Sequence, residues 1–371
     1  MNQSISAAAP QRFIVLDSFR GLCALSVVVF HLHLLQGFSE WDFFRSAGLM
    51  VEFFFILSGF VLAHRYGAAP FNLASLSQFM LSRTFRIVPL HLAMLLLFSL
   101  LTLHLGGAFD ADTQAQWWYQ LLLLQAWLPD ADPFAFNGPA WSISVEYYLY
   151  VLFGLILWAV SKGRYLIFAA IVAACAVCVW LGLDFSRSGG FRGLMCFFLG
   201  ALTYHGFVRW PAARLNAVWG TIVEVLLLVA LYFVITAQYP TKSFYAAWAF
   251  ALGVWLFAFE SGAVSKLLRH DGFVNMGKWS FSIYLTHYAV LYLLELGLER
   301  FAPALLLQHG EKIYLSLGSA WGDNTAALLI LALVLILSRW SYQQIEMRGV
   351  RWGRRVQAWL PEINDKETVK V

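Results

Sequence analysis

Two ionisable residues, Arg20 and His31, sit inside the first long apolar stretch of the chain, FIVLDSFRGLCALSVVVFHLHLLQGF. An α-helix turns about 100° and rises about 1.5 Å per residue, so eleven residues bring the two onto one stripe, roughly 16 Å apart along the axis. His33, two positions further on, points to a different face. Ionisable groups at membrane depth are costly, and the default reading of such a pair is a functional site. Imidazole titrates near neutral pH, which suits a histidine there to proton transfer.

Other candidates follow along the chain. Arg83 and Arg86 are three apart, share a helical face and can clamp a phosphate; the same charges also fit positive-inside topology and lipid headgroup contact. Glu146 lies in NGPAWSISVEYYLY, near Ser142, Ser144, Tyr147 and Tyr150. A carboxylate there must pair, protonate or face a wet cavity. It would either orient His31 or form a salt bridge to Arg192. Glu52 opens the second apolar segment as an active-site acid or an interfacial charge. Ser58-Gly59 in its middle permits close helix approach or a break lining a cavity. Tyr284 and His287 are three apart on one face, although a lone histidine there also suits a satisfied core position. Asp17 neutralises Arg20, and Glu346 pairs with a loop arginine.

These residues need a membrane scaffold. The 371-residue chain is 60% hydrophobic and 12% charged, with a mean hydropathy of +0.68. A soluble domain carries about twice that charged fraction. The expected fold is an all-α polytopic membrane protein with about ten transmembrane helices, near 14–36, 48–66, 88–106, 142–160, 165–183, 191–208, 218–236, 244–260, 280–298 and 325–342. One set of loops holds most of the Lys and Arg, including Arg12, Arg65, Arg83, Arg86, Lys162, Arg164, Arg214 and Lys266. The opposite set holds only Arg45, Arg187, Lys242, Arg300 and Lys312. Both termini are therefore expected in the cytoplasm. The net charge of +4 is a topology signal rather than a nucleic-acid footprint. No cleavable leader is expected, because the first apolar segment carries Asp17 and Arg20 and lacks a small-residue cleavage site. Cys23, Cys175, Cys178 and Cys196 fall in apolar runs, which predicts neither disulfides nor a metal site.

The chain divides into residues 1–12 as a cytoplasmic segment, 13–346 as the transmembrane domain and 347–371 as a basic amphipathic tail on the inner leaflet. The outer loop near 107–140 carries four aspartates and no Lys or Arg. Its Trp117 and Trp118 suit an interface belt, and nearby Trp141 either joins the belt or stacks on a sugar face.

Taken in order, the motifs resemble the membrane-bound acyltransferase-3 family of bacteria. LDSFRG followed by His31 is similar to the family's Arg-x10-His element, and VEFFFILSGF to its apolar Ser-Gly-Phe element. SRTFRIVPLH resembles its Arg-x-x-Arg element, WSISVE its Trp-Ser-Leu-Ser-Val-Glu element, and GKWSFSIYLTH its Tyr-Leu-x-His element. Glu52 stands where the family usually has Asp, and Met347-Arg348 where Lys-Pro is common. Many relatives carry a fused extracytoplasmic esterase-like domain; the chain is too short for one, which leaves the acceptor to the membrane domain.

The resemblance implies an enzyme of the inner (cytoplasmic) membrane. It would move an acyl group, usually acetyl, from cytoplasmic acetyl-CoA or another acyl-CoA to a hydroxyl of a surface or lipid-linked glycan. Arg20, Arg83 and Arg86 would hold the coenzyme, while His31 acts as base or acylated nucleophile with Glu146 orienting it. Asp17, Glu52, Ser58, Trp141, Ser144, Tyr284 and His287 would support the site or bind substrate. The competing class is a transporter or flippase of a lipid-linked glycan or anion, which calls for paired inverted halves; residues 1–190 and 190–371 show no such symmetry. A scaffold for other glycan enzymes would leave the intramembrane charges unexplained. Neither the acceptor nor the oligomeric state is readable in the sequence.

Overall fold

The computed structural model describes residues 12–67, 69–183, 189–210, 216–310 and 312–359. Arg187, Arg214 and the last part of the tail lie outside the described residues. The helices are α1 (Ile14–His31), α2 (Asp42–Arg45), α3 (Met50–Tyr66), α4 (Leu73–His104), α5 (Ala111–Leu121), α6 (Ala140–Ala159) and α7 (Arg164–Trp180). They continue as α8 (Gly189–Arg209), α9 (Ala217–Thr236), α10 (Lys242–Phe257), α11 (Ala263–Leu268), α12 (Asp271–Phe301), α13 (Ala320–Ser341) and α14 (Met347–Gln357). Among the described residues, eight helices are long and apolar enough to cross a bilayer, and α7 and α10 are shorter apolar helices of 17 and 16 residues. The chain is a multi-pass helical membrane protein. Leu96, Leu100 and Leu103 of α4, Leu226 and Phe233 of α9 and Leu329 and Ile336 of α13 are exposed, as expected where hydrocarbon is the solvent.

Lipid removes the hydrophobic drive for helix association, so close approach through small residues takes its place. Two crossings show this. A Cβ on Gly59 of α3 would lie 1.8 Å from the Phe197 carbonyl oxygen of α8, and one on Gly200 of α8 would lie 1.9 Å from that of Ile56. A Cβ on Gly21 of α1 would lie 2.6 Å from the Gly277 nitrogen of α12, and one on Gly277 would lie 2.1 Å from the Asp17 carbonyl oxygen. α1 and α12 run parallel, and His31 and His287 each lie ten residues beyond the glycine of their helix.

Three boundaries differ from the sequence reading. α4 begins at Leu73, well before 88, so Arg83 and Arg86 stand inside a 32-residue helix rather than in the loop before it. The Asn72 side chain caps it by accepting from Ser75 N at 2.8 Å, and polar residues after the cap hide the helix from a hydropathy window. α12 likewise starts at Asp271 rather than near 280. The tail does not simply lie on a leaflet: α13 passes through a π-helical turn, Tyr342–Glu346, into α14. α14 packs on α4, where a Cβ on Gly349 would meet the Phe85 carbonyl oxygen and the Pro89 ring, each at 2.6 Å.

A small antiparallel hairpin was not expected: β1 (Leu306–His309) pairs with β2 (Lys312–Leu315). Leu315 N donates to His33 O at 3.0 Å and Leu35 N to Leu315 O at 3.2 Å. The hairpin thereby holds the segment that follows α1.

Gly277→Ala forces backbone separation of α1 and α12, and such overpacking typically costs about 1–3 kcal/mol. The expected result is a melting temperature in detergent lowered by a few degrees, roughly as that loss implies. Gly297→Ala, whose Cβ meets nothing within 4 Å, is the matched control and should leave the melt unchanged.

Candidate functional site

Arg20 and His31 do lie on one continuous helix, α1. They open toward different cavities. At the basic end of the bundle a cavity of about 380 Å³ is lined by Arg12, Asp17, Arg20, Ser58, Arg65, Arg83, Arg86, Glu146, Lys278, Tyr284 and Glu346, among others. At the opposite end a larger cavity, about 910 Å³, is lined by His31, Arg45, Gln125, Trp141, Arg192, Lys242, Tyr284 and Tyr288, among others. Val51 and Tyr284 line both, so these two side chains stand between the two spaces.

His31 is bonded to His287. Nδ1 of His31 is 3.1 Å from Nε2 of His287 and 3.0 Å from Val27 O, and Nδ1 of His287 is 3.2 Å from Ile283 O. Both carbonyl oxygens can only accept, which assigns a proton to each Nδ1. In that tautomer the one Nδ1 proton of His31 is shared between Val27 O and His287 Nε2 in a three-centre bond, and His31 Nε2 keeps the lone pair on a ring that lines the larger cavity. His287 is fully buried. Its side-chain hydroxyl neighbour Tyr284 lies between the cavities, accepting from Ser142 Oγ at 2.9 Å and donating to Pro139 O at 3.3 Å.

Glu146 does not orient His31. Its carboxylate accepts from Ser58 Oγ at 2.5 Å and from Tyr150 OH, and it lines the basic cavity. Nor does it bond Arg192. Glu146 stands two turns into α6, which starts at Ala140, and α3 brings Ser58 to the same level. Sequence reasoning thus misassigned the histidine's partner. The signal was present, since His287 had been singled out, but no local spacing joins residues on α1 and α12.

Arg192 pairs with Glu52: Nη2 is 2.7 Å and Nε 2.9 Å from Glu52 Oε1. Glu52 is completely buried, and Arg192 stacks over the Trp141 ring at 5.3 Å. Glu52 is therefore an interior ion-pair partner rather than an interfacial charge, and Trp141 belongs to the cavity wall rather than to a belt. Ser144 is structural, donating to Leu123 O at 2.5 Å and holding the 122–139 loop over the larger cavity.

In the basic cavity Arg20 donates to Ser280 Oγ at 2.7 Å and to Gly277 O at 2.8 Å, with Asp17 3.7 Å away. Arg86 lies 3.9 Å from Glu346, which accepts from Ser282 Oγ at 2.9 Å. Arg83 sits over the Tyr150 ring at 5.9 Å, and its Nε is buried without a hydrogen-bond partner. His33 belongs to neither site. Arg45 donates to its Nδ1 at 2.7 Å, and burial with Arg45 beside it lowers its pKa to about 4. It is neutral at physiological pH, as an acceptor from a guanidinium must be.

A helical membrane bundle with an arginine-rich cavity at one end and, at the other, a larger cavity that exposes one histidine of a bonded pair fits a group-transfer enzyme with two substrates. The acyltransferase-3 family, described as an acyltransferase domain, matches residues 13–342, and the chain belongs to it. It is a transferase acting on acyl groups, which sets the transporter and scaffold readings aside. The chain is similar to Acyltransferase MdmB of Streptomyces mycarofaciens, 29% identical over 390 residues that cover 93% of this chain and 95% of that protein. A shorter match, 42% identical over 94 residues, is to Protein 2 in picA locus of Rhizobium radiobacter, covering 25% of this chain and 47% of that protein. No solved structure matches significantly.

Removing one partner of a buried ion pair leaves an uncompensated charge and costs about 3–5 kcal/mol. Glu52→Gln should lower the melting temperature strongly. The double variant Glu52→Gln, Arg192→Met should recover much of that loss; a double variant as unstable as the sum of its parts would show that the two residues act independently.

Proposed function

We propose that the donor is a cytoplasmic acyl-CoA, with acetyl-CoA the first choice. The acceptor is a hydroxyl of a surface or lipid-linked glycan, and the protein sits in the bacterial inner membrane with both termini in the cytoplasm. The observation that carries this reading is an arginine-rich cavity and the cavity at His31 set back to back, with Val51 and Tyr284 as a shared wall near the His31–His287 pair. The basic cavity has six cationic lining residues, Arg12, Arg20, Arg65, Arg83, Arg86 and Lys278, against three carboxylates, Asp17, Glu146 and Glu346. That surplus suits a polyanion. Arginine forks recognise phosphate well, and the roughly 16 Å rise from Arg20 to His31 is comparable to the pantetheine arm.

In this mechanism the acceptor hydroxyl occupies the larger cavity against His31. Nε2 of His31 takes the hydroxyl proton as the oxygen attacks the thioester carbon. The tetrahedral intermediate expels the coenzyme thiolate, and the imidazolium returns the proton to sulfur. The products are an ester and free coenzyme A. His287 is a positioning residue: accepting from Nδ1–H keeps the lone pair of His31 on Nε2 and spreads the positive charge of the imidazolium. Trp141 offers an aromatic face for a sugar ring.

General-base removal typically costs about 10²–10⁴ in rate, so His31→Ala should lose at least a hundredfold in kcat for acyl transfer in proteoliposomes. His287→Ala should lower kcat about tenfold, and His287→Gln, whose amide oxygen can still accept, should restore most of it. Equal losses for Ala and Gln would remove the positioning role. In the host, deletion of the gene should erase a base-labile O-acetyl signal in the proton NMR spectrum of surface polysaccharide, restored by wild type and not by His31→Ala. An unchanged glycan would overturn the glycan acceptor.

Hydrogen bonds to charged groups contribute about 1.5–3 kcal/mol each. Arg83→Ala combined with Arg86→Ala should therefore weaken acetyl-CoA binding by a factor of a hundred or more, measured by calorimetry in nanodiscs. Unchanged affinity would remove these arginines from the donor site.

A further inference from the structure

A third cavity, about 440 Å³, opens at the basic end beside the first. Arg65, Arg83 and Arg86 line both, so three guanidinium groups form a shared wall. The far wall is α14, which contributes Arg354 and Gln357. Among the described lining residues this cavity has four arginines and no carboxylate, unlike the first, where acids intervene. α14 is fixed in place there. A Cβ on Gly353 would lie 2.6 Å from the Phe85 Cβ, and Gln357 Nε2 donates to Gln78 O at 2.7 Å. Trp352 of α14 and Trp359, two residues past its end, are exposed, as suits the bilayer interface. The tail therefore both suits the membrane interface and completes a polar chamber.

Two further features point to a ligand. Arg83 Nε is buried and unpartnered in the shared wall. The chamber also presents Tyr66, Phe71 and Phe79, aromatic rings that can pack against a flat heterocycle. We propose that this second chamber binds the phosphorylated nucleotide end of the donor. Arg354 of α14 then takes a phosphate, Arg83 and Arg86 take the diphosphate, and the pantetheine arm enters the first cavity. This rests on the acyl-CoA reading above and adds to it a donor-binding role for the C-terminal helix. A phospholipid headgroup offers the same phosphate chemistry and must be separated from the nucleotide.

The test is binding of acetyl-CoA and of acetyl-3′-dephospho-CoA to the full chain in nanodiscs, made either of phosphatidylcholine alone or with phosphatidylglycerol. Wild type should prefer acetyl-CoA about tenfold in both lipids, as expected for one charge-assisted phosphate contact. Arg354→Ala should abolish the preference. Arg355→Ala, which removes the same charge outside the chamber, should retain it. Melting curves check that each variant is folded; Arg354 is exposed, so its loss leaves the core intact. A preference that survives Arg354→Ala overturns the proposal. So does the absence of a preference in wild type together with a phosphatidylglycerol dependence that Arg354→Ala removes, which assigns the chamber to lipid phosphate. If wild type binds neither thioester, the acyl-CoA donor falls first and this inference with it.

Discussion

The structure depends on the parallel contact between α1 and α12. At Gly21 and Gly277 the backbones approach so closely that a Cβ on either would overlap the other helix. Ten residues further along both helices stand His31 and His287, 3.1 Å apart. Ten residues is a little under three helical turns, roughly 15 Å of rise. Over that distance, packing at the glycines sets which faces of the two helices look at each other. The histidine bond is thus built by backbone contact well away from it. Arg20, adjacent to Gly21, makes its own bonds to Gly277 O and Ser280 across the same interface, so one helix pair holds a residue of the basic cavity and the base itself.

Charges in the bundle are handled in two different ways. Glu52 and Arg192 form a short pair, with the carboxylate fully buried, and its role is to hold α3 against α8 while shaping the larger cavity. The arginines of the basic cavity are looser. Arg20 relies mainly on neutral oxygens, Arg86 stands 3.9 Å from its carboxylate, and Arg83 has an orphan Nε. Buried donors left in this condition are costly without a partner. On the proposed acyl-CoA reading, the orphan Nε of Arg83 and the loosely paired Arg86 are positions left for an incoming anion. Glu146, bonded to Ser58 and Tyr150, moderates the repulsion among these cations without neutralising any one of them.

Much of this was legible in the sequence. All ten apolar segments fall on helices, and most of the residues singled out for chemistry line a cavity, while Glu52, Ser144 and His287 stand behind the walls. What was legible was local: periodicity, apolar length, and residues three or eleven apart on one helix. What escaped was set by contacts between distant segments. Glu146 was joined to His31 by chemical expectation, whereas the fold gives the histidine His287 and gives Glu146 to Ser58. The start of α4 escaped because its first turns are polar, and hydropathy cannot separate a polar helix from a loop. The hairpin at Leu306–Leu315 is too short to give a strand signal, and it forms because His33 and Leu35 offer it backbone partners. The docking of α14 was invisible because its pattern is equally that of a surface helix; only Gly349 and Gly353, four apart, hinted at a close neighbour.

On the proposed mechanism, the placement of His31 has a chemical consequence. Acyl transfer to a hydroxyl competes with transfer to water, and the two attack the same carbon in the same way. Selectivity must therefore come from what reaches His31 Nε2. His31 lines only the larger cavity, and Val51 and Tyr284 stand between it and the basic cavity. A thioester arriving from the basic side, as proposed, would have to pass these two side chains and would fill the gap it opens. The Tyr284 hydroxyl is already committed to Ser142 and Pro139, so it offers little to a passing water. On the other side the 122–139 loop is tied down by Ser144 and by Asn137, which donates to Leu285 O at 3.0 Å. The roof of the larger cavity is thereby anchored to α12, the helix that carries His287. An acceptor bulky enough to fill about 910 Å³ displaces water from the base as it binds. A small alcohol would not, so on the proposed mechanism the size of this cavity is itself the device that would favour a large hydroxyl-bearing acceptor over solvent.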